Sequence, residues 1–306
     1  MLKKRKIIVV LGPTASGKSA LALTLAKKFN GFLISADSRQ IYRKMDIGTN
    51  KDLGVWQNGK FFVDGIREEL IDMIEPDEYF SVDNWVNETK KIIKKEKGLP
   101  IIVGGTGLYI SALVENYELA GDYDEKIRKE VEDKYKKFGL EFLIKEMKKV
   151  DPEIENKIEI KNPRRMLRAG EIIFQTNKPL EMRKAESEFE VLQIGNNIDK
   201  EILFAKIDKR VDQMIEQGLI DEVRNLKNLG YEEKSSAISG IGYRQIYRFL
   251  NNEISGIEAV RLIKRDSRRF AKRQLTWFCR DKSIKWVNDE TEAVVLAEKF
   301  FRDSLI

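Results

Sequence analysis

Gly12-Pro13-Thr14-Ala15-Ser16-Gly17-Lys18-Ser19 lies between the apolar run Ile7-Ile8-Val9-Val10-Leu11 and the segment Ala20-Leu21-Ala22-Leu23-Thr24-Leu25-Ala26-Lys27-Lys28. The first flank predicts a buried strand and the second a helix. The eight residues between them fit G-x-x-x-x-G-K-[ST], a phosphate-binding loop. Gly12 and Gly17 let the backbone turn tightly and approach an anion. Several N–H groups then point inward, and the following helix adds its positive end. Lys18 supplies a mobile positive charge, and Ser19 offers a hydroxyl to Mg²⁺. ATP is the default ligand of such a loop, but any diphosphate meets the same physics.

The chain has 306 residues, enough for one or two domains with a sizeable core. Hydrophobic residues make up 42% and charged residues 35%, the composition of a globular protein with a heavily charged surface. Met1-Leu2-Lys3-Lys4-Arg5-Lys6 and the five apolar residues after it imitate the start of a signal peptide. That apolar stretch is too short and runs straight into the phosphate loop, so the expectation is a first strand in a cytoplasmic protein without a membrane segment. Net charge is +6 and the pI about 9.0, which is compatible with a nucleic-acid partner.

Two absences narrow the chemistry. The single cysteine, Cys279, excludes an intramolecular disulfide and a thiolate cluster; between Phe278 and Arg280 it is expected to be a packed thiol. With no histidine anywhere, Ser-His-Asp and Cys-His catalysis and His-ligated zinc are excluded. A general base must then be a carboxylate, or a Lys or Tyr.

Gly31-Phe32-Leu33-Ile34-Ser35-Ala36 predicts a second strand ending on Asp37-Ser38-Arg39-Gln40, which puts Asp37 beside the phosphate loop. Asp also caps helices, and position alone does not separate the two roles. Residues 43–66 predict a long loop with a hairpin around Asn58-Gly59. Glu69 to Ile74 predicts a short strand, and Ser81 caps a helix reaching about Lys97. Leu99-Pro100-Ile101-Ile102-Val103-Gly104-Gly105-Thr106-Gly107-Leu108-Tyr109-Ile110 predicts a strand breaking at glycines into a helix, with Thr106 at the ligand edge. An ATP-hydrolysing enzyme often ends such a strand on an acidic residue.

Charged helical patterns dominate from about residue 120 to 195, with helices expected at Asp124–Lys137 and Leu140–Lys149 and breaks at Pro152 and Pro163. Lys157, Lys161, Arg164, Arg165 and Arg168 suggest a basic face, which can equally be a solvated one. Beyond it, Leu203 to Ile207 predicts a strand, Asp208 to Leu229 a helix, and Ser239 to Tyr243 a turn into another helix. Residues 261–285 hold ten Lys or Arg against Asp266 and Asp281, with Phe270, Trp277 and Phe278 among them and Trp286 next in the chain. On a helix, Arg261, Arg265, Arg268 and Lys272 share a face and repel one another unless a polyanion neutralises them. The expected architecture is α/β, a P-loop NTPase-like parallel sheet flanked by helices. Its core is residues 1–119 and 196–306, and 120–195 is a helical insertion domain. No heptad seam is present, so a monomer without an obligate protein partner is expected.

Taken together the motifs resemble the tRNA dimethylallyltransferase (tRNA isopentenyltransferase) family, bacterial type, over nearly the whole chain. The segments that carry this are Gly12 to Ser19, Asp37-Ser38-Arg39-Gln40-Ile41-Tyr42, Pro100 to Tyr109, Arg164-Arg165, Arg210-Val211-Asp212-Gln213-Met214, Gly242-Tyr243 and Ala271-Lys272-Arg273-Gln274-Leu275-Thr276-Trp277-Phe278. The chain departs from the family at Gly48-Thr49-Asn50-Lys51-Asp52 (usually G-T-A-K-P), at Glu68-Glu69-Leu70-Ile71-Asp72 (usually H-H-L-I-D) and at Lys161-Asn162-Pro163-Arg164-Arg165 (usually N-D-x-R-R). The resemblance implies transfer of a dimethylallyl group from dimethylallyl diphosphate to N6 of the tRNA adenosine 3′-adjacent to the anticodon, with Mg²⁺. It implies that Gly12, Pro13, Thr14, Ala15, Ser16, Gly17, Lys18 and Ser19 hold the diphosphate, with Ser19 on the metal. Asp37, Thr106 and Arg128 would be catalytic. Asp37, Ser38, Arg39, Gln40, Arg164, Arg165, Lys272, Arg273 and Gln274 would meet the anticodon stem-loop. The alternatives are an adenylate isopentenyltransferase using AMP, a P-loop small-molecule kinase, and a non-catalytic RNA-binding switch.

Overall fold

The computed structural model describes residues 4–118, 124–160, 162–181 and 183–302. Ile7 to Leu11 are completely buried in strand β1 (Arg5–Leu11). A strand apolar on both faces needs cover on both, the condition of an inner strand of a parallel sheet. The other strands are β2 (Gly31–Ser35), β3 (Val55–Gln57), β4 (Lys60–Val63), β5 (Ile66–Glu69), β6 (Leu99–Gly104), β7 (Tyr117–Glu118), β8 (Arg183–Lys184), β9 (Phe189–Asn196) and β10 (Lys285–Val287). Eight of them form one sheet in the order β10-β9-β1-β6-β2-β5-β4-β3, and β7 pairs with β8 apart from it. Every neighbour from β10 to β5 is parallel, and β5, β4 and β3 are antiparallel. Register matters for function. Leu11 lies opposite both Gly104 and Gly195, so the glycine loop, the Gly104-Gly105 turn and Asn196 leave the sheet at one level.

The helices are α1 (Lys18–Lys28), α2 (Val82–Lys95), α3 (Gly107–Val114), α4 (Glu125–Lys148), α5 (Ile154–Lys157), α6 (Pro163–Thr176), α7 (Lys200–Glu216), α8 (Leu219–Asn228), α9 (Tyr243–Leu250), α10 (Gly256–Phe278) and α11 (Glu290–Arg302). Leu21, Leu25, Ala293 and Ala297 of α1 and α11 pack on Ile8, Val10, Leu33 and Ile101 of the sheet. Among the described residues no helix is long and apolar enough to cross a membrane.

The Asn58-Gly59 turn joins β3 to β4, and both residues have the positive φ (50° and 73°) of a two-residue hairpin turn. Ser81 caps α2 in a capping box with Asn84. Four expectations change. Leu203 to Ile207 is helical: Leu203, Ile207, Val211 and Met214 recur at i, i+4, i+8 and i+11 on the buried face of α7. The strand beside β1 is instead Phe189–Asn196, which the sequence places almost wholly in the insertion. The helix expected from Asp208 to Leu229 divides into α7 and α8 at Gly218. The strand expected over Glu69 to Ile74 is β5, ending at Glu69, with only Ile74 bridging to Tyr42 beyond it. Cys279 is exposed, not packed.

The chain divides into two compact units, Met1–Val114 with Ser187–Ile306, and Glu115–Glu186. The expected boundary at 119–120 falls outside the described residues. In the smaller unit α4 contains a break at Gly139 (φ 81°), between the two helices expected there. Val131, Leu143, Met147, Ile154, Met166, Ala169 and Ile173 form its core. Its basic residues are largely paired: Lys157 with Asp151 (2.9 Å), Arg165 with Glu159 (3.2 Å) and Arg168 with Glu171 (2.8 Å). Lys161 lies outside the described residues, and Arg164 is exposed on α6.

Candidate active site

The glycine loop leaves β1 and turns into α1 with Ala15 (φ 65°) and Gly17 (φ 88°) in left-handed conformations. Such residues beside right-handed ones turn successive N–H groups to one side, a nest for an anion, and α1 presents its positive end to the same place. A cavity of about 230 Å³ opens there, lined by Thr14, Ala15, Gly17, Lys18 and Ser19 of this loop. The Ser19 hydroxyl has no protein partner among the described residues.

Two cations and three carboxylates share the cavity: Lys18 and Arg210 against Asp37, Asp52 and Glu68. Burial pushes the Lys18 ammonium down to about 8; Asp37 and Asp52 oppose the shift and Arg210 adds to it. Arg210 donates to the Thr14 hydroxyl, while its Nε is buried without a partner among the described residues. Burial also lowers the Arg210 guanidinium. A buried cation with an unmet donor is costly until an anion arrives. Arg210 belongs to the site although the sequence supplied it only as part of a family segment. The available signal was its position on the apolar stripe of α7, seven residues after Leu203 and four before Met214.

Asp37 follows β2. One of its oxygens accepts the Arg39 N–H at 2.9 Å, so it caps a turn and not a helix; the other is without a partner among the described residues. Thr106 is not among the residues that line the cavity. Its hydroxyl accepts the Ser38 N–H at 3.0 Å and its own N–H donates to Ala36 O at 3.1 Å. It fastens the turn carrying Asp37, while Val103 and Gly104 are the residues of its segment that line the cavity. Gly104 is required by this approach, because a Cβ there would sit 2.2 Å from Ala36 O. The Gln274 side chain accepts the Thr14 N–H (2.9 Å) and donates to Gly105 O (2.8 Å), and the residue is 6% exposed. It clamps the glycine loop to the Gly104-Gly105 turn from an almost wholly buried position.

Arg39 donates to Ser236 O, and Gln40 lines the cavity, donating to Asn50 O at 3.1 Å. The segment bearing Thr49, Asn50 and Asp52 is pinned from α8. Glu222 accepts the N–H groups of Asp46 (2.9 Å), Ile47 (2.8 Å) and Gly48 (3.1 Å), and the Tyr243 hydroxyl (2.6 Å). Glu222→Ala strips four donors of their acceptor. It is expected to cost on the order of 3 kcal/mol in urea unfolding and to raise KM for the cavity's ligand about tenfold, with Glu222→Gln intermediate. Unchanged values in both would remove this pin.

The basic stretch forms α10, but its charges do not stand unneutralised as the sequence suggests. Arg261 meets Glu258 (2.6 Å), Lys264 meets Asp212 (2.6 Å), Arg265 meets Asp266 (2.9 Å) and Arg268 meets Asp208 (2.6 Å). Arg269, Lys272 and Arg273 have no carboxylate partner among the described residues. Lys272 sits 5.5 Å from the Phe204 ring centroid and Arg273 5.7 Å from that of Phe270. Arg128 lies on α4 in the smaller unit, paired with Glu132 at 3.0 Å.

A glycine loop at the carboxyl edge of a parallel sheet, entering a helix beside buried cations, defines the P-loop α/β class. A family model described as IPP transferase matches residues 40–281. The tRNA dimethylallyltransferase of Acetivibrio thermocellus is 41% identical over 308 residues, covering 96% of both chains. That of Caldanaerobacter subterraneus subsp. tengcongensis is 42% identical, covering 97% of this chain and 96% of its own. Among solved structures, the tRNA isopentenylpyrophosphate transferase of Bacillus halodurans matches with a TM-score of 0.70 at 33% identity, over 99% of this chain and 100% of that one. A eukaryotic dimethylallyltransferase acting on tRNA shares the fold at a TM-score of 0.79 and 24% identity, over 98% and 80%. The chain belongs to the IPP transferase family.

Proposed function

We propose that the chain transfers a dimethylallyl group from dimethylallyl diphosphate to N6 of the adenosine directly 3′ of the anticodon in tRNA. The observation that carries this is the pairing of an anion cavity, with Arg210 Nε unmet, and a carboxylate with a free oxygen, Asp37. The adenosine N6 attacks C1 of the dimethylallyl group. The C1–O bond breaks, and diphosphate leaves with the bonding pair. Asp37 orients the amine and accepts the N6 proton. The loop N–H groups, Lys18 and Arg210 stabilise the charge developing on the leaving diphosphate. Ser19 would hold Mg²⁺, whose charge would assist the same departure. An oxygen donor suits that ion, and no group of three or more Asp, Glu or Cys among the described residues could hold a metal alone, so diphosphate and water would complete its shell.

The adenosine must be unstacked to enter, at a cost of about a few kcal/mol. Arg269, Lys272 and Arg273 on α10, with Ser38, Arg39, Arg164 and Arg165, supply backbone contacts that offset it. Arg128 is assigned to the diphosphate on family position alone. The enzyme works in the cytoplasm as a monomer. Kinship with tRNA dimethylallyltransferases favours this reading over AMP prenylation, and β6 ends on Gly104 where a kinase often carries an acid. Incubation with Mg²⁺, labelled dimethylallyl diphosphate and unmodified tRNA should place label in tRNA and lose it when that adenosine is replaced. Label in AMP alone, or ATP consumption without prenylation, would overturn the proposal.

A further inference from the structure

Asp52 and Glu68 both line the cavity, both stand where the chain departs from the family pattern, and the chemistry above uses neither. Glu68 lies on β5 between Leu33 of β2 and Phe61 of β4. It is 6% exposed and has no hydrogen-bond partner among the described residues. Its own strand offers no counter-ion: Arg67 pairs with Glu69 (3.0 Å) and Glu96 (2.8 Å). Lys60 of β4 lies 3.9 Å from Glu96, and Lys27 of α1 meets Asp64. The charged groups that share the cavity with Glu68 are Asp52 from the 46–54 segment, Asp37 after β2, Lys18 of α1 and Arg210 of α7.

We propose that Glu68 keeps its proton in the ligand-free cavity and faces the entering diphosphate as a neutral hydrogen-bond donor. This rests on the diphosphate reading of the cavity and assigns Glu68 as a specificity-determining residue for that anion. Two carboxylates in one low-dielectric site resist ionising together. Burial, with Asp52 adding to it, pushes the Glu68 carboxyl up to about 8. An ionised Glu68 would add to the carboxylate charge that a diphosphate meets in the cavity. The imidazole usual to the family can donate a hydrogen bond; a protonated carboxyl keeps that capacity in a chain that has no histidine.

The test is calorimetric binding of inorganic diphosphate, in the presence of Mg²⁺, to wild type, Glu68→Gln and Asp52→Asn from pH 7 to 9. Gln is an isosteric stand-in for the neutral acid. Wild type and Glu68→Gln should bind within about twofold at pH 7, and the variant about tenfold tighter at pH 9, where about one Glu68 in ten keeps its proton. Lys18 titrates in both proteins and cancels in their ratio to first order. Asp52→Asn should move the wild-type break to lower pH, because the Asp52 charge helps keep Glu68 protonated. An infrared carboxylic-acid band at pH 7 should vanish in Glu68→Gln. A ratio constant from pH 7 to 9, no such band in wild type, or a loss of Mn²⁺ affinity without diphosphate in Glu68→Gln would overturn the neutral Glu68. Absence of diphosphate binding by wild type at pH 7 would instead overturn the functional reading.

Discussion

Asp37→Ala is expected to lower turnover at least about a hundredfold while tRNA affinity stays within about threefold. The exocyclic amine of adenine is a weak nucleophile, and its attack generates an acidic ammonium. The chain has no histidine to take that proton. Of the three carboxylates that line the cavity, Asp37, with one oxygen free directly after β2, is the base in the proposed reaction. Asp37→Asn preserves size and the Arg39 contact but removes proton acceptance, so it should fall as far as the alanine variant. Single-turnover transfer from pre-bound dimethylallyl diphosphate, with tRNA binding measured separately, reads both quantities. Wild-type-like turnover in either variant would take Asp37 out of the mechanism.

Lys18→Met should reduce turnover about a thousandfold and at the same time stabilise the ligand-free protein. The stem of Met packs where the lysine stem does, without its charge. In the fold the ammonium titrates near 8 instead of 10.5 because burial penalises its charged form. Below pH 8 the lysine is charged both folded and unfolded, and the fold carries the full burial cost. Between about pH 8 and 10.5 the folded protein sheds the proton first, and the cost is relieved. At pH 7 the variant should therefore gain on the order of 3 kcal/mol, a difference that shrinks as pH rises through 8 to 10.5. Thermal unfolding at pH 7 and at pH 9.5 checks the sign, and lower stability of Lys18→Met at pH 7 would refute it. Saturating diphosphate should reverse the order, because wild type, with Lys18 beside the loop N–H groups and Arg210, gains more from the bound anion.

The strand, glycine loop and helix at the amino end were readable because every signal there is local: an apolar run, a spaced pair of glycines and a helical continuation. The Asn58-Gly59 hairpin and the Gly139 break were readable for the same reason. Phe189–Asn196 was not, because Glu190, Gln193 and Gly195 interrupt its apolar residues. Gln193 is tolerated inside only through Asp281 and Ser283, some 90 residues later (2.7 and 2.8 Å). Leu203 to Ile207 is too short to separate strand from helix by periodicity. In the site, Asp37 and the phosphate loop followed from strand ends. The Gln274 clamp, the Arg210 cation and the neutralising partners Asp208 and Asp212 of α10 are long-range pairings that no window of sequence contains.

The clamp made by Gln274 sets a schedule for the enzyme's birth. The phosphate loop is translated first, yet two of the groups that fix it, Arg210 and Gln274, and the strand β9 beside β1 come from the last two-fifths of the chain. At roughly 5–20 residues per second, residue 274 follows residue 12 by about 13–50 s. For that interval the nascent chain carries a glycine loop with no clamp. Diphosphate should be captured only once α10 has been made and has folded, and chains truncated before Gln274 should be made without ever becoming competent.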